Sequence, residues 1–379
     1  MIQVHLTNEI LNYITEIDRN KYEVAAVALP KAISNRLRKN SKKKSSYSST
    51  KIEGNPLSEQ QAGEAIDGDE HRHYLKPEQE VRNYFLALNY LEEKAKKKER
   101  FSRQLILDVQ KYVEKGASQE KIGLRGPTPP GVLFAVYDSE TGNPDYIPPE
   151  YTDIPGLLDE LVQYVNETPD HPLIIAAVVH YQMVTIHPFE DGNGRTARLL
   201  SGYILDINGY GFRGIGSLEE YFAYDIQEYY DALQMGLSPY YYNGRNDPPH
   251  PEIWVCYFLR MVLLYANKVK ELSINSNGEE VAGSLSYLKG REKELLLFLL
   301  RNYRRAFTPM EVSRETDVTN KTVINRLAAL VKTGFVVPNM AKERIRFYEL
   351  SDFARQNEKT LLNMLQNEMK VTRLREEKP

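Results

Sequence analysis

The 379-residue sequence contains one cysteine, Cys256, and no long apolar run. A single cysteine excludes a disulfide framework and a cysteine-based metal site. Cys256 lies in an apolar helical pattern, which indicates a buried, unreactive thiol. Because transmembrane-length runs and a signal-peptide pattern are both lacking, we predict a cytoplasmic protein without membrane association.

The sequence also carries little net charge, since 49 lysines and arginines nearly balance 52 aspartates and glutamates. This balance excludes attraction of the whole molecule to nucleic acid, although a local basic face stays open. With 41% hydrophobic and 27% charged residues, the composition is that of a globular protein. At this length we expect two or three domains.

Helical periodicity is what the sequence mostly contains. Apolar spacing predicts helices through the first hundred residues, interrupted by a polar stretch at 37–49. That stretch is rich in lysine and serine, which predicts a solvated loop, with a nucleic-acid contact as the alternative. β-Branched and aromatic residues predict a β-hairpin over residues 132–147. Residues 172–186 are apolar on every side, which predicts a buried central helix that ends at a catalytic loop.

That loop, residues 187–198, reads His-Pro-Phe-Glu-Asp-Gly-Asn-Gly-Arg-Thr-Ala-Arg. Gly192 and Gly194 allow successive amide groups to point into one concavity, and the apolar run that follows places a helix N-terminus behind them. Arg195 and Arg198 are three residues apart, so both guanidinium groups can reach one polyphosphate. These features predict an anion-binding loop.

Two further residues of the loop point to catalysis. Asp191 offers a hard oxygen ligand suited to a Mg²⁺ ion that bridges phosphates. His187 is a histidine, which titrates near neutrality and can take a proton from an attacking hydroxyl. Gly192-x-Gly194-x-x-Ala197 mimics a dinucleotide-binding fingerprint, but the segment before it is predicted to be a helix instead of a strand, which argues against that reading. A P-loop is excluded, because the sequence contains no Gly-x-x-x-x-Gly-Lys-Ser/Thr. A capped helix with an unrelated histidine is the non-functional alternative.

The loop resembles the signature of the Fic (filamentation induced by cAMP) family, His-Pro-Phe-x-Asp-Gly-Asn-Gly-Arg-x-x-Arg, at every defined position. The resemblance covers roughly residues 1–270 and implies a mainly α fold, in which a helical core carries a β-hairpin flap. It implies transfer of AMP from ATP to a serine, threonine or tyrosine hydroxyl of a protein, with release of pyrophosphate. ATP and Mg²⁺ are the implied substrate and cofactor, and the chain itself is among the implied targets.

Residue roles follow from the same resemblance. The implied set is the general base His187, the Mg²⁺ ligand Asp191, an anion hole of Gly192, Asn193 and Gly194, and the β- and γ-phosphate ligands Arg195 and Arg198. Related Doc-type kinases typically carry lysine at the position of Gly194. Glycine there favours adenylyl over phosphoryl transfer.

The resemblance places a substrate-binding flap at the hairpin 132–147, where a protein target would dock as an added strand. A hairpin with a purely structural role is the alternative. Val132 of this flap, and Tyr230 in a segment similar to the family's Tyr-Tyr-x-x-Leu, are implied to lie near the nucleotide. Leu237 stands where some relatives carry a nucleoside-contacting asparagine, so we expect a core role for it. Homodimers are common in the family, and a homodimer is therefore a further expectation.

An inhibitory motif of the family, Ser/Thr-x-x-x-Glu-Gly/Asn, resembles residues 49–55, which read Ser-Thr-Lys-Ile-Glu-Gly-Asn. The resemblance implies that Glu53 pairs with Arg198 and denies it to the γ-phosphate, so that the enzyme is autoinhibited. Ser49 and Glu53 would share one face if the segment is helical. A surface carboxylate with a capping serine is the structural alternative. A functional alternative is that Glu53 positions a hydrolytic water, so that the same site removes AMP.

Beyond the core, the sequence predicts a winged-helix domain. A short helix opens at Thr308, Thr319 caps a second, and two strand-like runs follow at 334–337 and 344–348. The basic or polar residues available to DNA are Lys321, Asn325 and Arg326 of the second helix and Arg344 and Arg346 of the wing. Acidic neighbours dilute them, so a scaffold or partner-recognition role is the alternative. If DNA binding dominates, the chain is a DNA-binding regulator with a nucleotide-sensing Fic core.

The predicted organisation has four parts, with a break at 275–280. They are an N-terminal helical region with the inhibitory motif (1–105), a catalytic core (106–272), a winged helix-turn-helix domain (282–355) and a partly helical tail (356–379).

Overall fold

The computed structural model describes residues 1–27, 29, 31–69, 72–118, 121–132, 134–137, 142, 144–235, 248, 250–341 and 344–376. Over these residues the fold is mainly helical, as predicted. The helices are α1 (Asn8–Ala26), α2 (Lys31–Ile52), α3 (Glu59–Asp67), α4 (Lys76–Lys96), α5 (Arg103–Glu114), α6 (Ile154–Glu167), α7 (Pro172–Ile186), α8 (Asn193–Ile207), α9 (Glu219–Phe222), α10 (Ile226–Gln234), α11 (Pro251–Ser286), α12 (Gly290–Asn302), α13 (Pro309–Thr316), α14 (Asn320–Lys332), α15 (Asp352–Gln356) and α16 (Glu358–Glu376). The strands are β1 (Val136–Tyr137), β2 (Pro144–Tyr146), β3 (Val336–Ala341) and β4 (Arg344–Leu350). None of the described helices is both long and apolar enough to cross a membrane.

Two compact units make up the chain. The first comprises Met1–Val24 and Ser34–Lys270, and the second comprises Ala25–Ile33 and Glu271–Pro379. The first unit contains most of the predicted N-terminal region and most of the predicted core. The predicted interruption of the helix at 275–280 does not occur, because α11 continues through these residues, although the two units divide at Lys270 and Glu271, close to the predicted end of the core at 272. Asparagine, serine and glycine each oppose a helix by only about 1 kcal/mol or less, and helix on both sides favours propagation.

Cys256 lies on α11 and is half-buried. Burial raises the pKa of its thiol to about 11. The thiol therefore stays protonated near neutral pH, in agreement with the prediction that it is unreactive.

Helices α7 and α8 form the centre of the first unit. Nearly every residue of α7 is buried, because its sequence is apolar on all sides and other elements surround it. Helix α6 packs against α7, and α4 and α5 pack against α8. The prediction of a buried central helix is confirmed. The motif loop is thus anchored by α7 at one end and by α8 at the other.

The polar stretch at 37–49 is helical, so the predicted loop is wrong; it lies within α2. Its most deeply buried serines are Ser45, Ser46, Ser48 and Ser49. The hydroxyls of Ser46 and Thr50 donate to carbonyl oxygens one turn back, Ser46 Oγ to Lys42 O at 2.7 Å and Thr50 Oγ1 to Ser46 O at 2.9 Å. Small side chains that satisfy their hydroxyls within their own helix let a polar helix enter the interior, which hydrophobic periodicity does not detect.

Strands β1 and β2 pair antiparallel, with Val136 opposite Tyr146, so the predicted hairpin is present. Its paired part is shorter than 132–147. Proline at 144, and at 148 and 149, removes amide donors that a longer ladder would need. Leu133, Asn143 and the turn at 138–141 lie outside the described residues.

The second unit has its own apolar core, built on α12, α13, α14 and the hairpin of β3 and β4. Thr308 and Thr319 cap α13 and α14 through their side chains, which confirms both predicted helix starts. Helix α16 adds Leu361 and Leu365 to this core, so packing extends past the predicted boundary at 355. The assignment of these elements to a DNA-binding winged helix stays a prediction.

Candidate active site

His187 occupies the C-cap of α7. Its backbone is left-handed (φ +49°), and its amide donates to Met183 O at 3.2 Å. The imidazole Nδ1 lies 3.1 Å from Val184 O. Because a carbonyl oxygen can only accept, Nδ1 carries the proton and the lone pair is on Nε2. Burial lowers the pKa of His187 to about 4, so the ring is neutral at pH 7 and can act as a base.

Arg125, which the sequence analysis did not select, holds the backbone around His187. The Arg125 amide donates to Pro188 O at 2.9 Å, and its Nε donates to His187 O at 2.9 Å. Its Nη2 donates to Pro149 O beyond β2, and its guanidinium lies 4.4 Å from the Phe134 ring centroid. Arg125 therefore ties the motif loop to both arms of the hairpin. No local pattern marks it, because every one of these partners is distant in the chain.

The buried side chain of Asn193 stabilises the loop by bonding the backbone of Phe189. Its Oδ1 accepts from the Phe189 amide at 3.0 Å, and its Nδ2 donates to Phe189 O at 2.9 Å. Gly192 precedes it at φ +79°, a conformation that favours glycine. The first amides of α8, at Asn193, Gly194 and Arg195, have no acceptor within the helix and suit an anion. Asn193 thus offers its backbone to an anion while its side chain shapes the loop.

Asp191 lies in an ion-pair network. Its Oδ1 is 2.9 Å from Arg195 Nη2 and accepts from the Gly192 amide at 2.7 Å, and its Oδ2 is 3.1 Å from Lys121 Nζ. Arg195 Nη2 also lies 3.0 Å from Glu114 Oε1. Burial opposes the charged form of Asp191, but Arg195 and Lys121 hold the pKa of its carboxyl below its ordinary value. The Asp191 carboxyl is therefore ionised at neutral pH.

Glu114 is a second residue that the sequence analysis missed. Its side chain is 1% exposed. Burial, which Arg195 offsets only in part, raises the pKa of Glu114 to about 7. A glutamate in an otherwise apolar helix face is a weak sequence signal, and its partner, Arg195, comes from a distant helix. Arg195 thus forms ion pairs with two carboxylates, those of Asp191 and Glu114. From the sequence it was predicted to bind phosphate only.

Arg198 engages the C-terminal end of α2. Its Nε donates to Ser49 Oγ at 2.8 Å, and its Nη2 donates to Ser49 O at 3.0 Å and to Glu53 Oε1 at 2.6 Å. The Arg198 side chain is 1% exposed, that of Glu53 33%. The Glu53 carboxylate also covers Gly194, where a Cβ would overlap Oε1. Arg198 Nη1, buried beside Gly194, has no hydrogen-bond partner among the described residues.

The remaining predicted nucleotide contacts lie on exposed positions. Val132 precedes β1 and is 54% exposed, and Tyr230 on α10 is 44% exposed. Leu237 lies outside the described residues. The buried neighbour of Tyr230 is Tyr229, whose hydroxyl lies 2.8 Å from His180 Nε2.

A metal at this site would depend on one protein carboxylate. Across the described ranges, no group of three or more histidine, cysteine, aspartate and glutamate side chains could hold a metal ion. Mg²⁺ bound with nucleotide usually takes only one or two carboxylates, and phosphate oxygens and waters complete its shell. Asp191 is ionised and its side chain is 29% exposed, so it fits that role once Lys121 yields Oδ2.

Sequence comparison finds similarity to one family and to named enzymes. Residues 100–205 match the model of the Fic/DOC family. The chain is 28% identical over 209 residues to "Protein adenylyltransferase Fic" of Drosophila grimshawi, covering 52% of this chain and 40% of that protein. It is 43% identical over 68 residues to the protein of the same name from Drosophila melanogaster, covering 17% and 14%. The chain thus spans less than half the length of these relatives.

Solved structures share the fold. A Fic family protein from Desulfovibrio desulfuricans G20 superposes with a TM-score of 0.57 at 20% identity, covering 93% of this chain and 98% of that one. Fic-1 (residues 134–508) from C. elegans superposes with a TM-score of 0.51 at 22% identity, covering 71% of each chain. At these identities the likeness concerns architecture, and it confirms the predicted helical core.

Proposed function

Residues 100–205 of this chain form a domain of the Fic/DOC family, and on that premise we propose that the protein is an autoinhibited, ATP-dependent protein adenylyltransferase. It transfers AMP to a serine, threonine or tyrosine hydroxyl of a protein. One observation carries the proposal: a neutral imidazole, His187, stands at the end of α7, and the loop after it leads into the unpaired amides that begin α8. A base beside an anion site is what nucleotidyl transfer to a hydroxyl needs.

In the proposed reaction, the target hydroxyl oxygen attacks the α-phosphorus of ATP. The proton of that hydroxyl passes to His187 Nε2, which is basic because Nδ1–H is held by Val184 O. A bond forms between the hydroxyl oxygen and the α-phosphorus, and the bond to the bridging oxygen of the β-phosphate breaks. Pyrophosphate leaves and AMP remains on the target.

In this proposal, the residues at the start of α8 bind the phosphates of ATP. The amides of Asn193 and Gly194 would face the anion, and Arg198 Nη1, which has no hydrogen-bond partner among the described residues, lies beside Gly194. Arg195 holds Asp191 in place. Asp191 would hold Mg²⁺, which when bound neutralises charge on the phosphates.

The proposed brake is Glu53. Its carboxylate takes up Arg198 and the space over Gly194, the two places where we expect the terminal phosphate. A lysine at position 194, as in the Doc-type kinases, would collide with Glu53. Removing the carboxylate partner of the buried Arg198 guanidinium is costly, so we expect a low basal activity.

The proposed target site is the hairpin of β1 and β2. Tyr137 of β1 is 52% exposed, and a short two-stranded sheet offers an edge to an extended segment. Arg125 connects this hairpin to His187, so a segment docked there is held in register with the base.

The experiment that tests the proposal follows incorporation of α-labelled ATP into the protein itself and into added lysate proteins. We compare wild type, Glu53→Gly, and Glu53→Gly combined with His187→Ala. Strong labelling in the single variant alone supports both the transferase and the brake. If no form labels itself or any added protein, the transferase proposal is wrong. If wild type labels as strongly as Glu53→Gly, the proposal that Glu53 inhibits the enzyme is wrong.

A further inference from the structure

Glu114 lies against the motif loop, although the reaction proposed above assigns it no part. Its Oε1 is 3.0 Å from Arg195 Nη2, and the same oxygen would lie 2.5 Å from a Cβ at Gly192. The carboxylate therefore packs on the bare backbone of the Gly192 turn and on the first turn of α8. Such a placement is costly, because burial disfavours the charge and because a carboxylate repels a bound anion.

The backbone that carries Glu114 is fixed from α4. Asn83, which is buried, donates through Nδ2 to Val113 O and to Lys115 O, each at 2.8 Å. Gln79 Nε2 in turn donates to Asn83 Oδ1 at 2.7 Å. One buried side chain thus holds the carbonyl oxygens on both sides of Glu114, so the position of the Glu114 carboxylate is well defined.

Arg195 shares one nitrogen between two carboxylates of different kinds. Its Nη2 lies 3.0 Å from Glu114 Oε1 and 2.9 Å from Asp191 Oδ1. Glu114 is fully buried, whereas Asp191 is partly exposed and also pairs with Lys121. Asp191 is in addition the proposed ligand of Mg²⁺. Glu114 is therefore the partner that can keep Arg195 in place whether or not the site is occupied.

Arg195 also carries unpaired donors. Its side chain is 4% exposed, yet within the described ranges Nε and Nη1 have no hydrogen-bond partner. Buried donors are normally satisfied, and a guanidinium suits the oxygens of a phosphate. Arg195 is the third residue of α8, and the first amides of that helix have no acceptor within it. A phosphate at this helix start can therefore accept from the amides and from Arg195.

We propose that Glu114 is the positioning residue of Arg195: it holds the guanidinium so that Nε and Nη1 are directed at the β-phosphate of a bound nucleotide. The site then prefers nucleoside di- and triphosphates to monophosphates. Without Glu114, Asp191 is the carboxylate left to Arg195, and the guanidinium turns toward it and away from the phosphate. This inference rests on the proposed function, in which the start of α8 binds the phosphates of ATP.

Affinities for AMP, ADP and ATP test the proposal on the full chain carrying Glu53→Gly. They are measured by calorimetry without added metal ion at pH 8, where Glu114 is ionised. We expect the Glu53→Gly parent to bind ADP and ATP tighter than AMP. Glu114→Ala should lower that preference about tenfold or more, as loss of a charge-assisted hydrogen bond implies, and leave the affinity for AMP unchanged. Glu114→Gln, which keeps an acceptor oxygen, should show an intermediate loss.

The control is Glu92→Ala, which removes a part-buried glutamate of α4 that pairs with Arg38. It should leave the preference unchanged. An equal fall in affinity for all three nucleotides, or an unchanged or increased preference in the Glu114 variants, overturns the positioning role. If the parent binds AMP as tightly as ATP, the proposed phosphate site is itself wrong, and this inference with it. Glu114→Gln decides the test if Glu114→Ala misfolds, because it removes a buried charge without a change of shape.

Discussion

Glu53 Oε1 lies 2.6 Å from Arg198 Nη2 and at the same time covers the bare Cα of Gly194. One carboxylate therefore meets both the cation and the backbone that begin α8. The contact is anchored from behind, because Arg198 is also bonded to Ser49 through Nε and Nη2. If this contact is the brake, Ser49 should matter as well as Glu53.

Ser49→Ala should release the brake in part. It removes the hydroxyl that accepts from Arg198 Nε and leaves that buried donor unsatisfied, at a cost of about 1–3 kcal/mol, while Glu53 stays in place. We expect self-labelling with α-labelled ATP above wild type and below Glu53→Gly. The control is Ser46→Ala, a buried serine of α2 that bonds only within its helix. Equal labelling in Ser49→Ala and Ser46→Ala would show that Ser49 has no specific role in the inhibition.

Arg125→Lys, made in the Glu53→Gly background, should slow transfer more than about tenfold. Lysine keeps the charge but offers one nitrogen in place of the Nε and Nη2 that bond His187 O and Pro149 O, so both His187 and the hairpin lose support. The rate of label transfer and the affinity for ATP are measured separately. We expect the rate of label transfer to fall and the affinity for ATP to stay unchanged. Arg103→Lys, an exposed arginine that also bonds a backbone carbonyl, is the control; a comparable loss there would refute a specific role for Arg125.

Lys121→Met should increase the affinity of the site for Mg²⁺. Lys121 Nζ holds the Asp191 oxygen that a metal would need, and its removal frees that oxygen without altering Arg195. The readout is the Mg²⁺ concentration at half-maximal ATP binding, which should fall several-fold relative to Lys111→Met on the surface of α5. A rise in that concentration would show that Lys121 assists the metal.

Glu114 should make stability fall as pH rises. Burial raises its pKa to about 7 in the folded protein, whereas an unfolded glutamate titrates near 4.3. Between these values the folded state holds the proton that the unfolded state releases, so this stabilising contribution is present at low pH and is lost as pH rises through about 7. Glu114→Gln should therefore gain stability relative to wild type between pH 5 and pH 8, measured by thermal unfolding. A pH-independent difference between Glu114→Gln and wild type would contradict the shifted pKa.

The motif loop was predictable because its functional groups are contiguous in the chain. Residues 187–198 contain the histidine, the aspartate, the glycines and both arginines, and the left-handed turns at His187 and Gly192 depend on neighbours only a few positions away. The same holds for α7 and for the caps at Thr308 and Thr319. Interactions within one or two helical turns leave a readable pattern in the residues themselves.

By itself, then, the sequence determined the motif loop, its flanking helices and the candidate inhibitory motif. Only the tertiary structure decided that the serine-rich end of α2 is helical and buried, that Arg125 holds His187, and that Glu114 faces Arg195. The physical reason is the range of the forces involved. A charged or polar group enters the interior only where a distant segment supplies its partner, as Ser49 meets Arg198 across 149 residues, and packing of the whole unit brings such partners together.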